Sequence, residues 1–275
     1  MPETLDLAAA LSLAERAARR AAELLLTYFR NPKLKVQHKS ATDLVTEADR
    51  RSESIITEML LSAYPDHAVI GEENGKQGNL TAEYHWHVDP LDGTTNFARG
   101  IPYFAVSIAL SDSHNVPLVG VVYDPVHDEC FKALRGSGAR LGRRKLRVSK
   151  TRKLVDALVA SGFPHDRHIN PDNNTEEWSC FVARTQSVRR LGSAALELCY
   201  VAAGRLDGYW EARVHTWDVL AGILMVEESG GKLSNYRGAS EGVYNGAQVV
   251  ASNGRIHEEM LEVLILGAAA PRPRR

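Results

Sequence analysis

From Trp86 to Phe97 the chain reads Trp-His-Val-Asp-Pro-Leu-Asp-Gly-Thr-Thr-Asn-Phe, and few arrangements accommodate such a run. A short apolar alternation over His85–Val88 reads as a strand and passes into a tight Pro-Leu turn bounded by Asp89 and Asp92. Gly93, Thr94 and Thr95 then suit the start of a helix, whose first backbone N–H groups have no partner within the helix. Two hard carboxylates beside an anion-accepting helix start are the ingredients of a metal-assisted phosphate site. Alone, the same residues also describe a solvated acidic turn that caps a helix. The rest of the chain decides between the two.

At 275 residues the chain can bury a large core, as one domain or two closely packed ones. A 44% hydrophobic and 24% charged composition is that of a soluble globular protein, so the acidic run belongs on an ordinary folded scaffold. The formal net charge is −1 and no long basic stripe is evident, so direct nucleic-acid binding is not expected. Cys130, Cys180 and Cys199 are too few and too scattered for a disulfide framework or a paired metal site, and each reads as a small buried hydrophobe. No apolar run approaches the roughly 20 residues that span a bilayer. The N-terminal segment mixes acids with its basic residues, unlike a signal peptide. A cytoplasmic protein without a membrane partner is the expectation.

Helical spacing of apolar residues predicts a helix from about Leu5 to Phe29 and a second from Thr46 to Tyr64. Strands are expected at Ala68–Gly71, His85–Val88 and Ala105–Ser111, followed by a hairpin from Val119 to Leu134. Beyond Ser149 strands and helices alternate: Leu158–Ser161, Ala194–Ala203 (helix), Gly208–Glu211 and Val219–Ser229 (helix). The polar loop from Pro164 to Glu177 is a candidate rim or lid, and Gly136-Ser137-Gly138 reads as a surface turn rather than a phosphate cradle.

Four acidic islands stand far apart in sequence, each beside an element boundary: Asp43–Asp49, Gly71-Glu72-Glu73, Asp89–Thr95 and Trp217-Asp218. Carboxylates at strand ends and helix starts converge readily at one edge of a sheet. Oxygen ligands without His or Cys select Mg²⁺, Mn²⁺ or Ca²⁺ over zinc. Gly-Glu-Glu, Asp-Pro-Leu-Asp-Gly-Thr-Thr-Asn-Phe and Trp-Asp-Val-Leu-Ala-Gly, in this order, resemble the joint signatures of the inositol monophosphatase family of Mg²⁺-dependent, Li⁺-sensitive sugar-phosphate phosphatases. Leu191-Gly-Ser-Ala-Ala-Leu-Glu-Leu and Gly208-Tyr-Trp-Glu resemble its bacterial members, and the resemblance runs from about Ala10 to Met260.

That resemblance implies a layered α-β-α-β-α sandwich, mixing α+β and α/β parts. An α+β part over 1–147 would carry most metal ligands and an α/β part over 148–268 would carry Asp218 and substrate contacts, while the composition of 269–275 reads as a disordered tail. The resemblance implies that Glu72, Asp89 and the Leu91 carbonyl hold one Mg²⁺ and that Asp89, Asp92 and Asp218 hold a second. A third, weaker ion would sit near Glu72, Mn²⁺ is the alternative metal, and Lys39 matches a basic residue near the metals. Gly93 and Thr94 would offer N–H groups to phosphate, with Asp49, Thr94 and Glu72 as the catalytic set that activates water. Asp92, Ala194, Glu211 and Asp218 would line the hydroxyl pocket.

The implied reaction is hydrolysis of inositol 1-phosphate by activated water, without a phosphoenzyme, in a homodimer. The alternatives are fructose 1,6-bisphosphate or histidinol phosphate as substrate, or a regulatory docking protein that keeps the phosphatase fold. His215 reads as a packed histidine, Ser193 as a helix cap, and Arg189 and Arg190 either as partners of an anionic substituent or as surface or subunit contacts.

Overall fold

The computed structural model describes residues 5–31, 36–38, 44–79 and 81–271. Helix α1 (Leu7–Tyr28) begins where the Asp6 carboxylate accepts from the N–H groups of Ala8 and Ala9. It buries a stripe of small residues, Ala10, Ala14, Ala17, Ala18 and Ala21, which lets it lie close on a sheet. Strands β1 (Val36–His38) and β2 (Leu44–Thr46) form a small antiparallel pair. Helix α2 (Glu47–Ala63) follows at once, started by a capping box in which Thr46 and Asp49 exchange hydrogen bonds.

The larger sheet then builds through β3 (Ala68–Gly71), β4 (Gly75–Gly78), β5 (Tyr84–Asp92), β6 (Ala105–Asp112), β7 (Pro117–Asp124), β8 (Glu129–Leu134), β9 (Gly138–Leu141) and β10 (Arg144–Lys145). Its order is β10-β9-β8-β7-β6-β5-β3-β4, and only the β3–β5 pair is parallel. The five-residue helix α3 (Thr94–Ala98) interrupts it between β5 and β6.

The second half supplies β11 (Leu158–Ser161), α4 (Thr175–Val182), β12 (Ser187–Arg189), α5 (Ala194–Ala202), β13 (Gly208–Ala212), α6 (Thr216–Glu228), β14 (Lys232–Ser234), β15 (Gln248–Ser252) and α7 (His257–Leu266). Its five strands run β12-β11-β13-β15-β14, parallel across the first three and antiparallel across the rest.

Side-chain alternation along the strands explains the stacking. Val106, Ile108 and Leu110 of β6 face α1 and α2, whereas Ala105 and Ala109 face the other way, onto α5 and α6. Tyr209 of β13 joins that same middle core, while its neighbour Trp210 turns outward beneath α4 and α7. The layers are therefore helix, sheet, helix, sheet, helix, the α-β-α-β-α sandwich expected from the sequence.

Three local expectations change. Strand β5 does not end at Val88: it continues through Asp92, because one extra residue between Asp89 and Asp92 bulges out against Ser107–Ala105 and absorbs Pro90. Helix α6 begins at Thr216, so Asp218 lies in its first turn rather than ahead of it. Residues 269–271 are not disordered, since Ala270 is buried and the Arg184 guanidinium donates to the carbonyls of Ala268, Ala270 and Pro271. Residues 272–275, like Lys39 and Asp43, lie outside the described residues. Among the described residues no helix is long and apolar enough to cross a membrane. All three cysteines are buried and free.

Candidate active site

A cavity of about 420 Å³ opens where the ends of β3, β5 and β13 meet the starts of α3, α5 and α6. Glu72, Asp89, Leu91, Asp92, Gly93, Thr94, Ala194, Glu211 and Asp218 all line it, so residues from distant segments do come together.

Each carboxylate has a local reason for its place. Asp89 sits in the β5 bulge and accepts from the Leu91 N–H at 2.9 Å. Asp92 is seated on the N-terminus of α5, accepting from the Ser193 hydroxyl at 2.6 Å and the Ala195 N–H at 2.7 Å. Asp218 is the third residue of α6 and accepts from the His215 N–H at 2.7 Å. Glu72 follows β3, in a turn tied down by Glu53, whose buried carboxylate accepts from the N–H groups of Glu73 and Asn74 at 2.7 and 2.8 Å. Glu53 was not singled out from sequence; a second acid one turn after Asp49, on the apolar side of α2, was the available signal.

Burial and mutual repulsion set the electrostatics. Burial pushes the Asp89 carboxyl well above its ordinary range, and the charges of Glu72, Asp92 and Asp218 push it further. Asp218 is raised in the same way, by burial first and then by Glu72. Asp92 is raised to about 6 by burial, against the opposing pull of its hydrogen bonds to Ser193 and Ala195.

Among the described residues, no three His, Cys, Asp or Glu side chains close up into a finished metal-binding group. The donor chemistry still fits a hard divalent cation: the convergent ligands are carboxylates and a carbonyl, and the charge they crowd together is what such an ion offsets.

Beside the carboxylates, the Thr94 hydroxyl lies 3.1 Å from the Asp49 carboxylate and 3.0 Å from the Leu91 carbonyl. Asp49 is fully buried and raised to about 6, chiefly by burial. Gly93 adopts φ +100°, and a Cβ there would stand 3.1 Å from the Tyr103 carbonyl and 3.2 Å from that of Gly192, so glycine is required twice over. Asn96 clamps this corner by donating to the carbonyls of Tyr103 and Leu191, both at 2.8 Å.

On the far wall Glu211 is raised to about 7 by burial and accepts from the Tyr209 hydroxyl. Gly162 leaves room for that carboxylate, since a Cβ at 162 would collide with it. The sequence also missed Glu197, a buried acid that accepts from the N–H groups of Leu191 and Gly192 and so shapes the turn carrying Ser193 and Ala194.

Ser193 caps α5 as expected, and His215 stacks on Trp217 with ring centroids 4.5 Å apart. Arg190 is not only a surface residue, for it lines the cavity. The start of the polar loop, Pro164 and His165, forms part of the rim, held by the ion pair of Asp166 with Arg213.

Comparison with known proteins identifies the family and the fold. The model of the inositol monophosphatase family matches residues 6–265. An inositol-1-monophosphatase from Synechocystis sp. is 46% identical over 86% of this chain and 81% of its own. A protein from Pseudomonas aeruginosa named Nus factor SuhB is 44% identical over 92% of this chain and 95% of its own. The structure of an inositol monophosphatase from Anabaena (Nostoc) sp. PCC 7120 superposes with a TM-score of 0.87 at 42% identity, covering 96% of this chain and 98% of that one.

Proposed function

The chain belongs to the inositol monophosphatase family, a family of phosphatases, and on that premise we propose that it hydrolyses inositol 1-phosphate to inositol and phosphate. The observation that carries the reading is the convergence of Glu72, Asp89, Asp92 and Asp218 on one cavity, beside the Asp49–Thr94 hydrogen bond.

In this reading Glu72, Asp89, Asp92, Asp218 and the Leu91 carbonyl would hold two Mg²⁺ ions, with Mn²⁺ as a substitute, and Glu72 would adjoin a third, weaker ion. When bound, such ions lower the pKa of water and offset charge on the leaving oxygen. The rest is done by the protein. Gly93 and Thr94 turn backbone N–H groups toward the phosphoryl oxygens, stabilising charge that builds there as the bond breaks. Thr94 accepts the proton of the attacking water while passing its own to Asp49, whose buried carboxyl is poised near 6 for that exchange. Asp92, the backbone of Ala194 and Glu211 hold the hydroxyls of the alcohol. No side chain is needed as a phosphorylated intermediate, and Ser193 is engaged in holding Asp92.

A cytoplasmic homodimer sensitive to Li⁺ belongs to the same proposal. Side-by-side assay of inositol 1-phosphate, fructose 1,6-bisphosphate, histidinol phosphate and adenosine 3′,5′-bisphosphate with Mg²⁺ tests it. Highest kcat/KM for inositol 1-phosphate, lost in Asp92→Asn and suppressed by millimolar Li⁺, is the expected result. A preference for another ester corrects the substrate. A second reading comes from the relatives named Nus factor SuhB: a docking role retained alongside catalysis. Absence of phosphate release from both the native protein and Asp92→Asn would favour that role alone.

A further inference from the structure

Between Arg140 and Lys153, eight of fourteen residues are Arg or Lys and none is acidic. The overall charge of −1 conceals this run, because acids elsewhere cancel it. All eight cations (Arg140, Arg143, Arg144, Lys145, Arg147, Lys150, Arg152 and Lys153) are exposed. The fold brings Arg255, which precedes α7, to the same place. Lys145, Arg147, Lys150 and Arg255 line a cavity of about 410 Å³ that shares no residue with the active-site cavity.

What sets these charges apart is their density. Elsewhere cations are either matched, as Arg19 with Glu15, Arg51 with Glu47, Arg135 with Glu227, Arg205 with Glu129 and Lys232 with Glu258, or scattered singly, as Arg16, Lys76, Arg99 and Arg237 are. None of the nine forms an ion pair with a carboxylate among the described residues. The only acid lining the cavity, Glu228, has both oxygens taken by the N–H groups of Gly136 and Gly138. Protection of an exposed sheet edge accounts for Arg144 and Lys145 on β10, but not for a run that continues to Lys153 and recruits Arg255.

The composition of the face selects its partner. Protein interfaces are anchored by aromatic and apolar side chains and are depleted in lysine. None of the large exposed hydrophobics of this protein lies between 139 and 153, so the face has neither such an anchor nor the apolar stripe that enters a lipid surface. Dense, unpaired guanidinium and ammonium groups suit phosphodiesters. A concave floor suits a flexible strand, whereas a stiff duplex cannot bend into it without cost. We propose that the face formed by β9, β10, residues 146–153 and Arg255 binds the phosphate backbone of a single-stranded nucleic acid, without reading its sequence.

Fluorescence anisotropy with the full chain and a labelled 20-nucleotide single-stranded RNA of mixed sequence tests this, with single-stranded DNA of the same sequence in parallel. Five contacted phosphates, at about −0.7 in the log–log salt slope each, predict roughly 100-fold weaker binding at 200 mM than at 50 mM KCl. The combined Arg144→Ala, Arg147→Ala, Lys150→Ala variant is expected to bind at least tenfold more weakly, with a slope shallower by about 2 and an unchanged melting temperature. The Arg16→Ala, Arg20→Ala variant, on the distant α1 surface, is expected to bind normally. Equal binding of RNA and DNA supports recognition through phosphodiester alone. The proposal is overturned by absence of binding at 50 mM KCl, by salt-independent binding, or by retention of binding in the folded triple variant. Equal affinity for duplex, for phosphatidylglycerol vesicles or for poly-glutamate overturns it too.

Discussion

Individual carboxylates in the cavity differ in what their loss should cost. Asp89 is fully enclosed, carries the charge of three neighbours and occupies the shared corner of the proposed ligand set. Asp89→Asn is expected to lower kcat/KM for inositol 1-phosphate by roughly 10³-fold or more, since charge stabilisation at such a centre amounts to several kcal/mol. Glu211 meets only the alcohol, so Glu211→Gln should act mainly on KM, by about tenfold, the worth of one or two hydrogen bonds. Steady-state kinetics on both variants decides, and equal losses would contradict the allocation. Away from the site, His257 makes a separate prediction. Its ring is buried between the hydroxyls of Ser234 and Ser252, both at 2.8 Å, and burial lowers its pKa to about 4. The native state therefore holds the ring neutral while the unfolded chain protonates it below about 6.5. Its contribution to stability is complete above 6.5 and is lost as pH falls from there toward 4. The buried acids titrate in the same window with the opposite sign, so the native protein and His257→Gln are compared by urea denaturation between pH 7.5 and 4.5: the native protein's advantage over the variant should shrink as pH falls.

Helix starts, more than whole helices, are what build this site. Asp49, Asp92 and Asp218 are each held by the first turn of a helix: Asp49 and Asp218 by their own, and Asp92 by that of α5. Ser193→Ala removes both the α5 cap and a hydrogen bond to Asp92. A cap is worth about 1 kcal/mol, so the melting temperature should drop by about 2–4 °C. The larger effect is expected on kcat, because Asp92 loses its anchor; a drop in stability with full activity would mean that Asp92 is held well enough by Ala195 alone. Elements with strong periodicity were legible in the chain: β3 and β11 fall where their apolar runs lie, and α2 begins directly after Thr46, where helical spacing placed its start. Strand β4 is Gly-Lys-Gln-Gly and mostly exposed, so it is a strand only because β3 pairs with it. Pro90 hid the continuation of β5, since a bulge that tolerates proline leaves no mark distinct from a turn. The acidic islands were legible as a site because their residue types are restrictive. Asn96 and Glu197 lie inside the quoted motifs and Glu53 outside them, but in all three the role of holding backbone does not show in the residue type.

At the scale of the molecule, the chain order divides near residue 147 but the core does not. One hydrophobic cluster takes Ala105, Ala109, Val122 and Phe131 from the large sheet, Leu196, Leu198, Leu220 and Ile223 from α5 and α6, and Tyr209, Val249 and Ala251 from the small sheet. Both helices belong to the second half, yet they cover the inner face of the first. The fit between them is close: a Cβ on Gly120 of β7 would meet the Ala221 backbone at 3.0 Å, and one on Gly222 would collide with Leu198. Separate folding of 1–147 would leave that inner face, with Phe131 and Leu146, open to water, an apolar exposure that monomeric domains rarely sustain. The full chain is therefore expected to unfold in a single calorimetric transition whose van't Hoff and calorimetric enthalpies agree. Fragments 1–147 and 148–271, expressed apart, should bind a hydrophobic dye and lack cooperative melting, and Gly222→Leu in the full chain should lower the melting temperature through overpacking of about 1–3 kcal/mol. Two resolved transitions, or a cooperatively folded 1–147, would show instead that each sheet is self-sufficient. In that case the active site, which draws Asp89 and Asp92 from one half and Glu211 and Asp218 from the other, would sit at a true domain boundary and its geometry would depend on docking rather than on a shared core.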